Sequence, residues 1–427
     1  MTREELLEII DEVQQRQSEL DDVEVKAARG GTPKRLYASL SAFANRPGGG
    51  VLLFGLDETG DFSIVGVGNA QRLQEEITAL ASDVMEPTLR SQFTIEMIGG
   101  RTVVAVEITA ISNQQKPCFY RTAGLQSGSY IRVGNSNRQM TDYEIFGYVS
   151  NREQPVFDEN PVRDATLTDL DAEKLADYLD KLRRSRPSAG YLRQPDEEVL
   201  KLRRIAKDVD GTLRPTLAGL LMFGLYPQGF EPQFVITFLH FFGTTETEPA
   251  LNGARFLDNR KFEGTIPEII ETAINHILAS IRKSSLIEGL WRRDIPEYPV
   301  EALREAVVNA IAHRDYSQFV RGSYVQIRLF ADRVEIQSPG GLYGNVTEDR
   351  LEEEQSTRNR VLVQLMEDYQ LPGNRHLVEN RGSGINAMLA AMRGANLEPP
   401  RFQDKRTSLL GDVSQPYADE SRSHRLA

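Results

Sequence analysis

The chain has almost nothing to spend on covalent cross-links or soft metal ligands. Cys118 is its one cysteine, which excludes an internal disulfide and any cysteine-rich metal site and points to a reducing compartment, the cytoplasm. Histidine is sparse too, and His240, His276 and His376 stand apart from one another, as structural histidines do. No apolar run approaches the ~20 residues that span a bilayer, so no membrane partner is expected. The opening MTREELLEII lacks a basic stretch followed by an apolar one and reads as a surface helix, not a signal peptide. There is also no Gly-x-x-x-x-Gly-Lys-Ser/Thr segment, which removes the phosphate loop that a helicase motor needs.

What the chain does have is length and acidity. At 427 residues it exceeds the size at which one core stops growing, so two or three domains are expected. A net charge of −12 argues against indiscriminate wrapping of nucleic acid, because phosphate binding rests on clustered Lys and Arg. Local patches still stand out. Arg121, Arg132 and Arg138 interleave with Tyr120 and Tyr130, and Lys201, Arg203, Arg204 and Lys207 form a second group. Each reads first as a solvated face.

Hydrophobic spacing gives a helix over 3–17 and another over 33–45, then a glycine turn, Gly48-Gly49-Gly50, entering the buried-type strand Val51-Leu52-Leu53-Phe54. Strands over 103–108 and 130–133 complete an α/β domain at 1–150, followed by a linker rich in Pro, Asn and Asp. A middle α/β domain is expected over 167–290, with a nucleotide-type α/β domain over 291–402. The polar residues 403–427 read as a poorly anchored tail.

The chemistry of the third segment begins with EAVVNAIAHRDY. Helical spacing sets Leu303, Ala306, Val307, Ala310 and Ile311 on one stripe and Glu301, Glu305, Asn309 and His313 on another. An amide and a carboxylate four residues apart face the same way, which suits an oxygen ligand for Mg²⁺ beside a group that orients water; taken alone, such an i, i+4 pair reads first as an ordinary polar helix face. Glycine turns follow: Ser338-Pro339-Gly340-Gly341 after a strand, and Gly382, Ser383 and Gly384 opening a helix. Backbone N–H groups at such turns cradle phosphates. Over about 295–400 this order, together with Arg358-Asn359, resembles the GHKL ATPases and more closely the RecG-like C-terminal domain. The resemblance implies a site for ATP or a related adenine nucleotide with Mg²⁺, an α/β sandwich fold, Asn309 as the metal ligand and Glu305 as the general base. Ser338, Gly340, Gly341, Arg358, Asn359, Gly382, Ser383 and Gly384 would complete it. Ser338 stands where the family places an adenine-reading Asp, which leaves base selectivity open.

Near the N-terminus, ELDDVEVK, the helix ending Ser41-Ala42-Phe43-Ala44-Asn45, Phe54-Gly55-Leu56-Asp57 and Tyr130-Ile131-Arg132-Val133-Gly134 together resemble the Schlafen AlbA-type domain over about 15–145. That resemblance implies a carboxylate cluster of Glu19, Glu24 and Asp57; Lys26, on the same strand face as Glu24, and the basic residues Arg121, Arg132 and Arg138 are the candidate nucleic-acid contacts. Three carboxylates can hold a divalent metal that activates water against a phosphodiester. The competing reading makes Glu24 and Lys26 a structural pair.

The expectation is therefore a multidomain α/β (α+β) cytoplasmic protein that associates with nucleic acid, DNA ahead of RNA. Its leading function is regulatory, a transcriptional regulator binding ATP and Mg²⁺ in a degenerate site. The alternative is a metal-dependent nuclease using Glu19, Glu24 and Asp57. Weak ATPase activity and homo-oligomer formation stay open; helicase activity does not.

Overall fold

The computed structural model describes all residues except 151, 153, 249–252, 289–290, 318–319, 321, 345, 347, 349–350, 353–355, 374, 379–383, 406–407 and 415–427. The chain forms two compact units, Met1–Glu153 and Gln154–Ala427.

The first unit opens with helix α1 (Arg3–Arg16), started by a capping box in which the Thr2 and Glu5 side chains each accept the other's backbone N–H. Strand β1 (Val23–Lys26), helix α2 (Leu36–Asn45), strand β2 (Gly50–Phe54), helix α3 (Ala70–Ala79) and strands β3 (Ser91–Ile98) and β4 (Arg101–Ile108) follow. The sheet order is β1-β2-β4-β3, with β1 parallel to β2 and the remaining pairs antiparallel. Period-two alternation sorts the side chains. Val23, Val25, Leu53, Val103 and Ala105 pack with Leu6, Ile10 and Val13 of α1 on one face. Leu52, Phe54, Val104, Val106 and Ile108 pack with Leu36, Leu40 and Phe43 of α2 on the other. Glu24 and Lys26, alternating with the two valines, therefore point to the α2 side.

The turn into β2 needs glycine for space. A Cβ on Gly49 would lie 2.1 Å from the Ile108 carbonyl oxygen, and one on Gly50 2.2 Å from the Phe43 ring. A separate hairpin, β5 (Tyr130–Val133) with β6 (Ser136–Gln139), is fastened to α2 by polar groups. Asn45 Nδ2 donates to the Cys118 and Tyr130 carbonyls, and the Tyr130 N–H donates to Ser41 Oγ.

In the second unit, strands β7 (Ile236–His240) and β8 (Asp258–Phe262) and helix α4 (Ile266–Ser280) precede helix α5 (Val300–Ala312) and strands β9 (Val325–Leu329) and β10 (Arg333–Pro339). Helix α6 (Arg360–Asp368), helix α7 (Gly384–Gly394) and strands β11 (Arg401–Asp404) and β12 (Ser408–Ser414) follow. The six strands make one sheet in the order β8-β7-β9-β10-β12-β11.

Two expectations about segmentation are corrected here. β7 pairs in parallel with β9, and one core runs from Leu170 to Val413, so residues 167–290 and 291–402 share a sheet and a core rather than forming separate domains. The residues from 403 do not all form a tail: β12 lies between β10 and β11, with Val413 buried. The physical reason is burial on pairing, since Leu409, Leu410 and Val413 satisfy both backbone and side chains between two partner strands. The rest of that segment, 415–427, lies outside the described residues. Among the described residues no helix is long and apolar enough to cross a membrane.

Candidate nucleotide cavity and N-terminal carboxylate cluster

A cavity of about 840 Å³ opens in the second unit. Helix α5 contributes Glu305, Asn309 and His313, spaced one turn apart on one face, and the end of β10 contributes Ser338, Gly340 and Gly341. Gly384, the first residue of α7, lies against the same wall. A Cβ there would stand 2.7 Å from Glu305 Oε2 and 3.2 Å from Asn309 Nδ2, so a side chain at this position would have to push the ends of both aside. Glu305 is buried, and among the described residues the buried Asn309 Nδ2 has no hydrogen-bond partner. Gly382 and Ser383 lie outside the described residues.

The remaining expected residues are placed as supports. Ser338 Oγ donates to the Ala310 carbonyl at 2.6 Å, which ties β10 to α5. Arg358, 2% exposed, donates from Nη1 to the His313 carbonyl and from Nη2 to the Gly341 carbonyl. Burial lowers its pKa, opposed by Asp315 and Asp404. Asn359 Nδ2 donates to the Ala312 and Arg314 carbonyls at 2.8 Å each. Arg358 and Asn359 thus grip the C-terminal end of α5 and stand outside the cavity lining. Asp158 holds the next element: its Oδ2 accepts from the Val361 and Leu362 N–H groups at the start of α6. His313 faces the cavity and is partly buried; desolvation, with Arg358 beside it, pushes its pKa down to about 4, so the ring is neutral at physiological pH.

The donor set suits a hydrated Mg²⁺. One carboxylate and one amide oxygen leave other coordination positions to water and phosphate, the usual economy of this ion. The unpartnered Asn309 amide adds a hydrogen-bond donor for an anion.

The first unit gathers charges differently. Glu19 and Glu24 meet Lys26 and Arg132, whereas Asp57 turns away: its Oδ1 accepts from the Thr59 N–H at 3.2 Å and Thr59 Oγ1 at 2.9 Å, closing a turn. Glu58 takes the remaining place, 3.0 Å from Lys26 Nζ. Burial pulls the Lys26 pKa down, but Glu24, Glu58 and Glu19 together outweigh it and raise the pKa. Asn137 and Ser39 also hydrogen-bond Glu24, and nothing in their spacing announced them. Among the described residues no group of three or more His, Cys, Asp or Glu side chains could hold a metal ion.

Of the expected nucleic-acid contacts, Lys26 and Arg132 are therefore inside this cluster. Arg121 is paired with Glu86 at 2.9 Å, and Arg138 is exposed on β6. The second basic group is spent on carboxylates: Arg203 on the buried Asp368, Arg204 and Lys207 on Glu159, and Lys201 on Glu198.

Comparison with known proteins gives three family matches. A model described as "Schlafen, AlbA_2" matches residues 19–141, one described as "Putative ATP-dependent DNA helicase recG C-terminal" matches 322–410, and a domain of unknown function matches 148–233. The chain thus carries an AlbA_2 domain in its first unit and a RecG-like C-terminal ATPase-type domain in its second. Helix α5 lies just upstream of the latter match. No curated protein matches the chain. Among solved structures, the DIP2311 protein from Corynebacterium diphtheriae is 20% identical, with 97% of this chain and 80% of that one covered and a TM-score of 0.45. The N-terminal domain of a "Putative ATP-dependent DNA Helicase RecG-related Protein" from Nitrosomonas europaea is 26% identical, covering 31% of this chain and 92% of that one, with a TM-score of 0.26.

Proposed function

We propose that this is a nucleic-acid-associated regulatory protein whose second unit binds an adenine nucleotide with Mg²⁺ in a GHKL-type cavity. The observation that carries the reading is the convergence of Glu305, Asn309 and Gly384 at one wall, with a buried amide nitrogen that has no partner among the described residues. Asn309 would hold the metal through its amide oxygen. Glu305 would orient a water, which allows weak hydrolysis. The Gly340–Gly341 turn and the start of α7 would offer backbone N–H groups to phosphates. When bound, Mg²⁺ supplies charge neutralisation to the phosphate oxygens. Arg358 and Asn359 act one layer back, keeping the glycine turn against α5.

The AlbA_2 and RecG-related matches support association with nucleic acid, and the missing phosphate loop argues against unwinding it. DNA is the expected partner ahead of RNA, and control of transcription the expected outcome, with nucleotide occupancy as the variable that changes binding.

Isothermal titration with ATP and Mg²⁺ tests the reading. Micromolar binding by the wild-type chain, lost in Asn309→Ala, is expected. Heat-silent titrations for both proteins, confirmed by a fluorescent nucleotide, would remove the nucleotide site from the account.

A further inference from the structure

In the first unit the chain itself occupies Glu24 on every side and holds Glu19 at both oxygens. Glu24 Oε1 accepts from Ser39 Oγ at 2.8 Å and lies 3.4 Å from Lys26 Nζ. Its Oε2 accepts from Asn137 Nδ2 at 2.7 Å and Arg132 Nη1 at 3.2 Å. Glu19 Oε1 accepts from the Val25 N–H at 2.9 Å, and its Oε2 from Arg132 Nη2 at 3.2 Å. A carboxylate offers about four lone-pair sites, and those of Glu24 are all used. The Arg132 side chain is 2% exposed, packs over the Phe43 ring and donates to the Val23 carbonyl as well. Asp57, the third carboxylate a metal would need, is committed to its own turn.

These contacts also join elements that no backbone ladder joins. Among the described residues, strands β5 and β6 pair with each other and not with the four-stranded sheet. Arg132 comes from β5, Asn137 from β6, Glu24 from β1 and Ser39 from α2.

We infer that Arg132 stands where a divalent cation would have to stand, so that Glu19, Glu24 and Asp57 form no metal-dependent phosphodiesterase centre and the cluster is instead the latch holding the 130–139 hairpin to β1 and α2. The first unit then meets nucleic acid as a binder, with the hairpin as a prefixed element. The inference is independent of the nucleotide reading of the second unit. A metal entering this site would have to expel a buried guanidinium and strip Glu24 of donors from three elements, leaving the hairpin untethered on its β1 side.

Two measurements on the full chain test it. In thermal melts with EDTA, Mg²⁺ or Mn²⁺, the wild-type Tm should not depend on metal at this cluster. A Mn²⁺-dependent rise that Glu24→Gln abolishes overturns the inference, whereas a rise that Glu24→Gln retains arises elsewhere and upholds it. In hydrogen exchange, Glu24→Gln should speed exchange of the 130–139 amides by at least about tenfold while the β2 and β4 amides keep their protection. No change at 130–139, or equal acceleration throughout the unit, refutes the latch. Should Glu24→Gln fail to fold, Asn137→Ala removes one donor and no charge, and the same exchange pattern is expected of it.

Discussion

Gly340→Ala is the sharpest probe of the architecture of the proposed nucleotide cavity, because two separate costs fall on one methyl group. Gly340 sits at φ 93°, a region that residues with a Cβ seldom adopt, and enforcing it costs about 1–3 kcal/mol. The added Cβ would also lie 2.2 Å from Arg358 Nη1 and 2.7 Å from the Asp315 Cβ. The guanidinium would have to leave, with its bonds to the His313 and Gly341 carbonyls. Hydrogen bonds from a charged donor are worth about 1.5–3 kcal/mol each, and a displaced buried cation has few other partners. The loss should therefore reach roughly 4 kcal/mol or more, a Tm drop on the order of 10 °C at about 2–4 °C per kcal/mol for a unit this large. Gly211→Ala is the matched control: its φ is 78°, yet nothing lies within 4 Å of its Cβ position, so only the backbone cost applies. Urea denaturation of both variants, followed by far-UV circular dichroism, separates the two costs. Equal destabilisation by both substitutions would refute the claim that Arg358 is a locked strut behind the glycine turn.

Two further outcomes follow from buried titratable groups. His313 has a folded-state pKa of about 4 against an ordinary value near 6.5, so the unfolded chain binds the extra proton first. Stability should fall as pH drops from about 6.5 towards 4, by at most about 3 kcal/mol. The raised pKa of Asp158 works in the opposite sense, so the measurement is the difference between wild type and His313→Gln in Tm against pH; a constant difference would contradict the assignment. Cys118 is buried, and its thiol pKa is pushed up to about 12 by burial, with Glu86 adding to it. It should react with a disulfide reagent only at the rate of unfolding, and immediate reaction in native buffer would show that the α2 contacts around it are loose.

The parts of this protein that were readable in advance are those governed by local period. Val23-Glu24-Val25-Lys26 alternates, and the alternation alone puts the two valines on one face and the two charges on the other; the structure adds that α1 covers the first and α2 lies on the second. The Glu305–Asn309–His313 stripe follows from helical pitch, and all three do face one cavity. The segment boundaries failed for a complementary reason. Whether residues 236–240 belong with residues 325–329 is decided by a parallel strand pairing, which leaves no mark on either segment's own pattern. The short run around Leu409 looked like tail because its partners, β10 and β11, are what make it a strand.

The same limit governs the two clusters of chemistry, and it explains why their roles diverge. Spacing can bring Glu305 and Asn309 to one helical face, because both belong to one element. It cannot say what neutralises Glu24, because Arg132 and Asn137 arrive from more than a hundred residues away on a hairpin that the sheet does not hold. A buried carboxylate without a cation is costly enough that some partner had to be there. A metal and an arginine meet that requirement equally well from the viewpoint of sequence. Geometry separates them: a metal would gather carboxylates, whereas here they spread over the arms of one guanidinium and one ammonium, with Asp57 turned to its own backbone. In the second unit the balance is reversed, since the polar groups at the cavity wall include a buried amide nitrogen with no partner among the described residues. An unmet donor facing a cavity is a demand on a ligand. A carboxylate with all its lone pairs filled makes none.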